Sequence, residues 1–159
     1  MGNAPEGYHT RAMREDDLGA VMRIEILSFP SPWTPLAYAL ELRYNEAADY
    51  QVLVSPEDEV VGYTGVWHAN GIAQVLRIAV DEDVRRQGLG SALLHEVSER
   101  AKAAGLAGVS LEVRASNTAA QAFYRSHGFS DAGTIPGYYT NPYEDAVCYY
   151  SDLSYPTKH

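Results

Sequence analysis

The chain has 159 residues, 46% of them hydrophobic and 21% charged, the balance of a folded domain with a sizeable core. A net charge of −9 argues against broad binding to nucleic acid or anionic membranes and fits a cationic partner, such as an amine or a basic peptide. The one cysteine, Cys148, excludes an internal disulfide and a cysteine-cluster metal site, and no apolar run reaches the roughly 18 residues of a membrane helix.

Residues 1–7, with Gly2, Pro5 and Gly7, are expected to be a loose tail. The polar start lacks the apolar centre of a signal peptide, so a cytoplasmic location is expected. A first strand is predicted over Tyr8–Met13. Glu15-Asp16-Asp17 then places carboxylates where a helix dipole favours them, and Ala20, Val21, Ile24 and Leu27 follow at helical spacing. Pro30 and Pro32 end that pattern, and Thr34-Pro35 reads as the cap and first position of a second helix reaching about Tyr44. Strands are predicted at Tyr50–Ser55 and Val60–Ala69. Asn70-Gly71 is a hairpin signal, so Ile72–Val80 should return antiparallel. A helix follows from Gly88 to about Ala104, with Leu89, Leu93, Val97 and Ala101 as its apolar stripe. Val109–Val113 reads as a strand, and Asn117 or Thr118 caps a helix ending near His127-Gly128. Ser130–Ile135 is a further strand, Pro136–Asp145 a tyrosine-rich loop, and Ala146–Leu153 the last strand. This is an α+β pattern in one domain, residues 8–153, with short tails at 1–7 and 154–159.

The stretch Arg85-Arg86-Gln87-Gly88-Leu89-Gly90-Ser91 lies between a strand and a helix start. The first N–H groups of a helix lack intrahelical partners, and glycines let an anion approach them. The Walker A pattern and the dinucleotide fingerprint are both absent, and Gly-x-Gly before a helix fits a tight turn as well as a phosphate site.

Read together with Leu111-Glu112-Val113-Arg114-Ala115-Ser116-Asn117, Ala122-Phe123-Tyr124 and Gly128-Phe129, in this order and spacing, that loop resembles the GNAT superfamily of N-acetyltransferases. Leu111–Asn117, Phe29-Pro30, Trp33, Tyr138-Tyr139 and Glu144-Asp145-Ala146 are similar to the RimI-type bacterial ribosomal-protein alanine N-acetyltransferases. The likeness covers about residues 8–153. It departs at Ser31-Pro32, which are inserted before the tryptophan, at Gly137, and in the more aromatic end with Cys148, Tyr149 and Tyr150. The resemblance implies a GNAT fold: a central mixed, mostly antiparallel sheet of about seven strands with about four helices and a splayed cleft for coenzyme A. It also implies acetyl transfer from acetyl-coenzyme A to an amine by direct attack, without a metal, on a protein or peptide N-terminus such as that of a small-subunit ribosomal protein. A small-amine acetyltransferase and a non-catalytic coenzyme A-binding module are the alternatives.

Such chemistry needs a neutral amine, a held thioester, a donor for the developing oxyanion and a proton for the departing thiolate. Glu112 is the candidate base: it alternates with Leu111 and Val113 and so points away from that apolar pair. The resemblance makes Tyr124 the candidate acid. It also implies that the backbone of Ile78, Ala79 and Val80, on a bulged strand, meets the pantetheine arm. Arg86, Gln87, Gly88, Leu89, Gly90 and Ser91 would hold the pyrophosphate, and Asn117 is read both as helix cap and as cofactor contact. Phe29, Trp33, Tyr138 and Tyr139 are candidate walls of an acceptor groove, the two tyrosines favoured by their loop position. Glu25, with Glu144 and Asp145, is a candidate attractor of the acceptor ammonium. The five histidines show no metal-ligand spacing.

Overall fold

The computed structural model describes residues 4–154. In chain order the elements are β1 (His9–Ala12), a 3-10 turn (Glu15–Asp17), α1 (Leu18–Ser28), α2 (Pro35–Tyr44), β2 (Ala48–Val54), β3 (Val60–Ala69), β4 (Ile72–Val80), a 3-10 turn (Glu82–Val84), α3 (Leu89–Ala103), β5 (Gly108–Arg114), α4 (Thr118–Ser126), β6 (Ser130–Thr140) and β7 (Tyr143–Asp152). The seven strands form one sheet in the order β1-β2-β3-β4-β5-β7-β6. Only β4 and β5 pair parallel, because α3 crosses over between them. This is the mixed, mostly antiparallel sheet with four helices that the sequence resemblance implies.

Local chemistry sets several boundaries. Thr34 caps α2 by accepting the Ala37 N–H at 3.1 Å, with Pro35 in the first turn. Asn70 and Gly71 hold φ of 56° and 78°, the left-handed pair that a two-residue hairpin turn requires. The acidic trio before α1 does more than complement a dipole. Asp17 is buried and accepts two 2.8 Å bonds from the Arg11 guanidinium and one from the Arg14 N–H, which ties β1 to α1.

The sheet is covered on both faces. Val21, Ile24 and Tyr38 of α1 and α2 pack against Tyr50, Val52, Val54 and Tyr63. Residues of opposite parity serve the other side: Leu53 meets Leu89 and Leu93 of α3. Val66, Val75, Val109, Leu111 and Val113 pack there with Leu94, Val97 and Tyr124. Burying each such leucine stabilises the fold by about 1.5–3 kcal/mol.

The functional consequence lies where β4 and β5 part. They pair only from Ile72 opposite Gly108 to Val75 opposite Leu111. Beyond that, β4 stays with β3 up to Val80 opposite Gly62, and β5 stays with β7 up to Arg114 opposite Ala146. Arg77 faces Gly65 while Val75 faces Val66, so Leu76 is an extra residue, and this bulge bends β4 at the split.

Two expectations need correction. Pro136–Asp145 is not a loop: β6 continues through Tyr138 and Tyr139, and β7 begins at Tyr143. Proline and glycine signalled a break there, but β6 is an edge strand, where a missing N–H costs no ladder bond, and its pairing is irregular between Ile135 and Tyr139. Within the expected tail, the Tyr8 N–H bonds to the Pro5 carbonyl at 3.1 Å, and Ala4 packs on the cluster around Leu53. Residues 1–3 and 155–159, the remainder of the expected tails, lie outside the described residues. The second correction is Glu25, which is wholly buried. Among the described residues, no helix is long and apolar enough to cross a membrane, and no three His, Cys, Asp or Glu side chains cluster as metal ligands.

Candidate active site

The split leaves the edge of β4 from Ile78 to Val80 unpaired on the β5 side, so its backbone groups face the opening. The Ala79 side chain is buried, and those of Ile78 and Val80 pack partly into the core. Side chains and backbone of this strand therefore serve different ends. Past β4 the chain rises into the glycine turn. Gly88 is the N-cap of α3 at φ 76° and has no side chain to cap with. The first intrahelical bond is from the Ala92 N–H to the Gly88 carbonyl, so the N–H groups of Leu89, Gly90 and Ser91 have no helical acceptor. A Cβ added at Gly88 would meet no protein atom within 4 Å, so the space over these donors is open. Arg86 is exposed and held at φ 71°, a left-handed conformation that costs a non-glycine residue about 1–2 kcal/mol. The donors, the dipole and the open cradle fit the pyrophosphate of coenzyme A. Gln87 is tied by the Tyr8 hydroxyl at 3.2 Å, and Arg85 turns back to donate to the Val80 carbonyl. Ser91 shares a 2.8 Å hydrogen bond with His127.

On the other side of the split, Glu112 is the first β5 residue beyond the β4 pairing. Gln74 Nε2 donates to both carboxylate oxygens, at 2.9 and 3.1 Å, and its own Oε1 accepts from Ser110 Oγ at 2.9 Å. The Tyr138 hydroxyl approaches Glu112 at 3.4 Å. Sequence reasoning did not single out Gln74. The one signal was its polarity within an otherwise apolar stretch, Ile72–Val75. Tyr124 projects from α4 with its ring packed among Phe123, Phe129 and Tyr149. Its hydroxyl has no hydrogen-bond partner among the described residues. Burial pushes its phenol above the ordinary tyrosine value, with Tyr139 adding to the shift, so it carries its proton at neutral pH. Burial, then Tyr138 and Glu112, push the Tyr139 phenol up to about 12. Glu112 thus meets Tyr138, whose ring lies 5.0 Å from that of Tyr139. Asn117 Oδ1 accepts the Ala120 N–H at 3.1 Å, which makes Asn117, not Thr118, the cap of α4.

The acids expected to draw in an ammonium are all engaged within the protein. Glu25 is wholly buried and accepts from Tyr38 and Tyr63 hydroxyls at 2.6 Å each, from the Trp33 N–H at 2.8 Å and from Arg77 Nε at 3.0 Å. It therefore holds α1, α2, β3 and β4 together rather than meeting the acceptor. No local pattern marks this role, because its four donors come from other segments of the chain. Glu144 accepts from the Ser116 N–H and from Arg114, and these hold its carboxyl below the ordinary value, Ser116 first. Asp145 accepts the Gly137 N–H at 2.8 Å. Phe29 and Trp33 stand near the bulge, each with a ring under the Arg77 guanidinium, at 4.2 and 4.5 Å.

The profile described as "Acetyltransferase (GNAT) family" matches residues 18–129. The chain is 35% identical over 138 residues to the ribosomal protein bS18-alanine N-acetyltransferase of Escherichia coli strain K12, covering 86% of this chain and 91% of that one. A Bacillus subtilis protein provisionally given the same name is 38% identical over 137 residues, with 86% and 90% covered. The crystal structure of the ribosomal-protein-S18-alanine N-acetyltransferase from Escherichia coli superposes with a TM-score of 0.82 at 31% identity, over 96% of this chain and 97% of that one. With the split sheet, the uncapped α3 start and these matches, the chain belongs to the GNAT family and is an acetyl-coenzyme A-dependent N-acetyltransferase.

Proposed function

We propose that the acceptor is the α-amine of a protein N-terminus, of the ribosomal-protein alanine type, and that Glu112 and Tyr124 are the base and acid of the transfer. The observation that carries the acceptor reading is a link across the groove. Ser31 Oγ donates to the Asn141 carbonyl at 2.7 Å, joining the segment between α1 and α2 to the turn between β6 and β7. A chain end can enter beneath such a link, whereas a lysine in mid-chain needs the groove open on both sides. The names of the 35% and 38% identical relatives support the same acceptor.

Bound acetyl-coenzyme A supplies a thioester carbonyl for the amine to attack. The unpaired edge Ile78–Val80 and the N–H groups of Leu89, Gly90 and Ser91, with Arg86 and Gln87 beside them, hold the donor arm and pyrophosphate. Asn117 sets the start of α4 and so the placement of Tyr124. Glu112, oriented by Gln74, takes the proton that the amine nitrogen loses as its bond to carbon forms. Tyr124 gives its phenolic proton to the sulfur as the carbon–sulfur bond breaks, leaving an acetylated amine and a free thiol; solvent restores both side chains. Phe29, Trp33, Tyr138 and Tyr139 wall the acceptor. Residues 8–153 form the catalytic unit, and its place of work is the cytoplasm.

The test is a comparison of initial rates on a peptide with the mature bS18 start, on its N-terminally blocked form carrying a lysine, and on a free small amine. The α-amine reading expects kcat/KM for the first peptide at least about tenfold above the others. Equal rates on the peptide and the free amine would sink it.

A further inference from the structure

Arg77 is the first paired residue of β4 after the bulged Leu76, with its side chain 15% exposed. Its partners on other elements all lie in the end of α1 and the segment leading to α2. Nε donates to Glu25 Oε2 at 3.0 Å, Nη2 donates to the Ser31 carbonyl at 3.3 Å, and the guanidinium carbon sits 4.2 Å from the Phe29 ring and 4.5 Å from the Trp33 ring. Glu25 accepts the Trp33 N–H on the same oxygen, so one carboxylate oxygen fixes the arginine and the backbone of the aromatic wall together. Ser31, held by Arg77 through its carbonyl, passes the restraint on to Asn141 through its hydroxyl.

A flat cation suits this place, since it stacks on aromatic faces and donates in its own plane, which an ammonium cannot do at once. A buried ion pair is weak evidence for stability, because the cost of desolvation offsets its attraction. Its use here is geometric: the arginine is rooted at the residue next to the bulge that opens the donor cleft, and it reaches only the acceptor wall.

We propose that Arg77 is a positioning residue for the acceptor, which locks the Phe29–Trp33 segment to the β4 bulge and so sets the height of the acceptor wall above the thioester's place. This rests on the reading that the acceptor enters between that segment and the β6–β7 turn.

The test uses a Trp67→Phe background, in which Trp33 is the one tryptophan left of two. Arg77→Met should raise acrylamide quenching of Trp33 about threefold and the acceptor KM about tenfold, while the acetyl-coenzyme A KM stays within about twofold. Arg77→Lys keeps a charge for Glu25 but loses the stacked plane, and should fall between the two. Unchanged quenching, or donor and acceptor KM rising by the same factor, would overturn the proposal. Should Arg77→Met fail to fold, the same criteria apply to Arg77→Lys. Quenching needs no acceptor, and the KM arm uses whichever amine the parent enzyme acetylates. Failure on alanine-starting peptides would therefore count against the acceptor assignment and leave this proposal to its own readouts.

Discussion

From Gly88 to Ser91 the groups on offer are main-chain N–H donors at a helix start. At the other mouth of the split, in the proposed acceptor site, they are side chains from the segment after α1 and from β6, held by two arginines. Arg77 of β4 braces Phe29 and Trp33. Arg114 of β5 stacks 4.1 Å from the Tyr139 ring and donates to the Pro142 and Asn141 carbonyls at 2.8 and 3.1 Å. Each diverging strand thus carries one arginine that supports one wall of the proposed acceptor site, and Ser31–Asn141 joins the walls. A backbone cradle depends on conformation and tolerates most side-chain change. A wall built of side chains on a shared carboxylate responds to single substitutions. On the proposed assignment the donor half suits one ligand, and specificity is set in the acceptor half.

The sharpest challenge to this division lies between the halves. Glu112→Gln should lower kcat by about a hundredfold or more, with acetyl-coenzyme A affinity by calorimetry unchanged. A weakened affinity would place Glu112 in the donor half instead. Tyr124→Phe should slow thiol release by about tenfold or more in a thiol-trapping assay while far-UV dichroism stays the same; full activity would exclude it as sole acid. Gly88→Val must take a left-handed φ and fill the open cradle, so donor KM should rise about tenfold with acceptor KM unmoved. Parallel rises in both would show that the halves are not separable. Gln74→Leu leaves Glu112 ionisable but unoriented, and kcat should fall several-fold, about 1 kcal/mol, with both KM values near normal.

The smallest effect concerns the acceptor-side core. Burial raises the Tyr38 and Tyr63 phenols above their ordinary values, with Glu25 among the further causes. The folded chain therefore keeps protons that the unfolded chain releases above about pH 10. It binds more protons than the unfolded state there, so stability is intact below that pH and falls as pH rises past it. The melting temperature should drop between pH 9 and about 11. Phenolate absorbance appearing for these two residues before unfolding would contradict the buried network.

The turns and helix starts were largely legible because their signals are local. Thr34-Pro35, Asn70-Gly71 and the glycine turn each dictate backbone shape within a few residues, and the strands and helices they bound fall where expected. The side-chain network around Glu25 and Arg77 was not. Glu25 looks like a helix-surface acid until Trp33, Tyr38, Tyr63 and Arg77 are folded around it. Arg77 and Gln74 carry no motif, and their meaning comes from the bulge and the parallel register with β5. Pro136 and Gly137 are true turn signals overruled by tertiary pairing with β7.

The irregular course of β6 has a bearing on self-association. It is a sheet edge of 11 residues, long enough to recruit a strand from another molecule, whereas the opposite edge, β1, is only 4 residues long. Pro136 offers no N–H to such a strand, Gly137 turns away at φ 62°, and the pairing shifts on either side of Gly133–Ile135. The features that aim Tyr138 and Tyr139 at the site also break the flat ladder on which intermolecular sheets grow. Straightening β6 by replacing Pro136 and Gly137 with strand-forming residues would therefore trade a shaped acceptor wall for an adhesive edge.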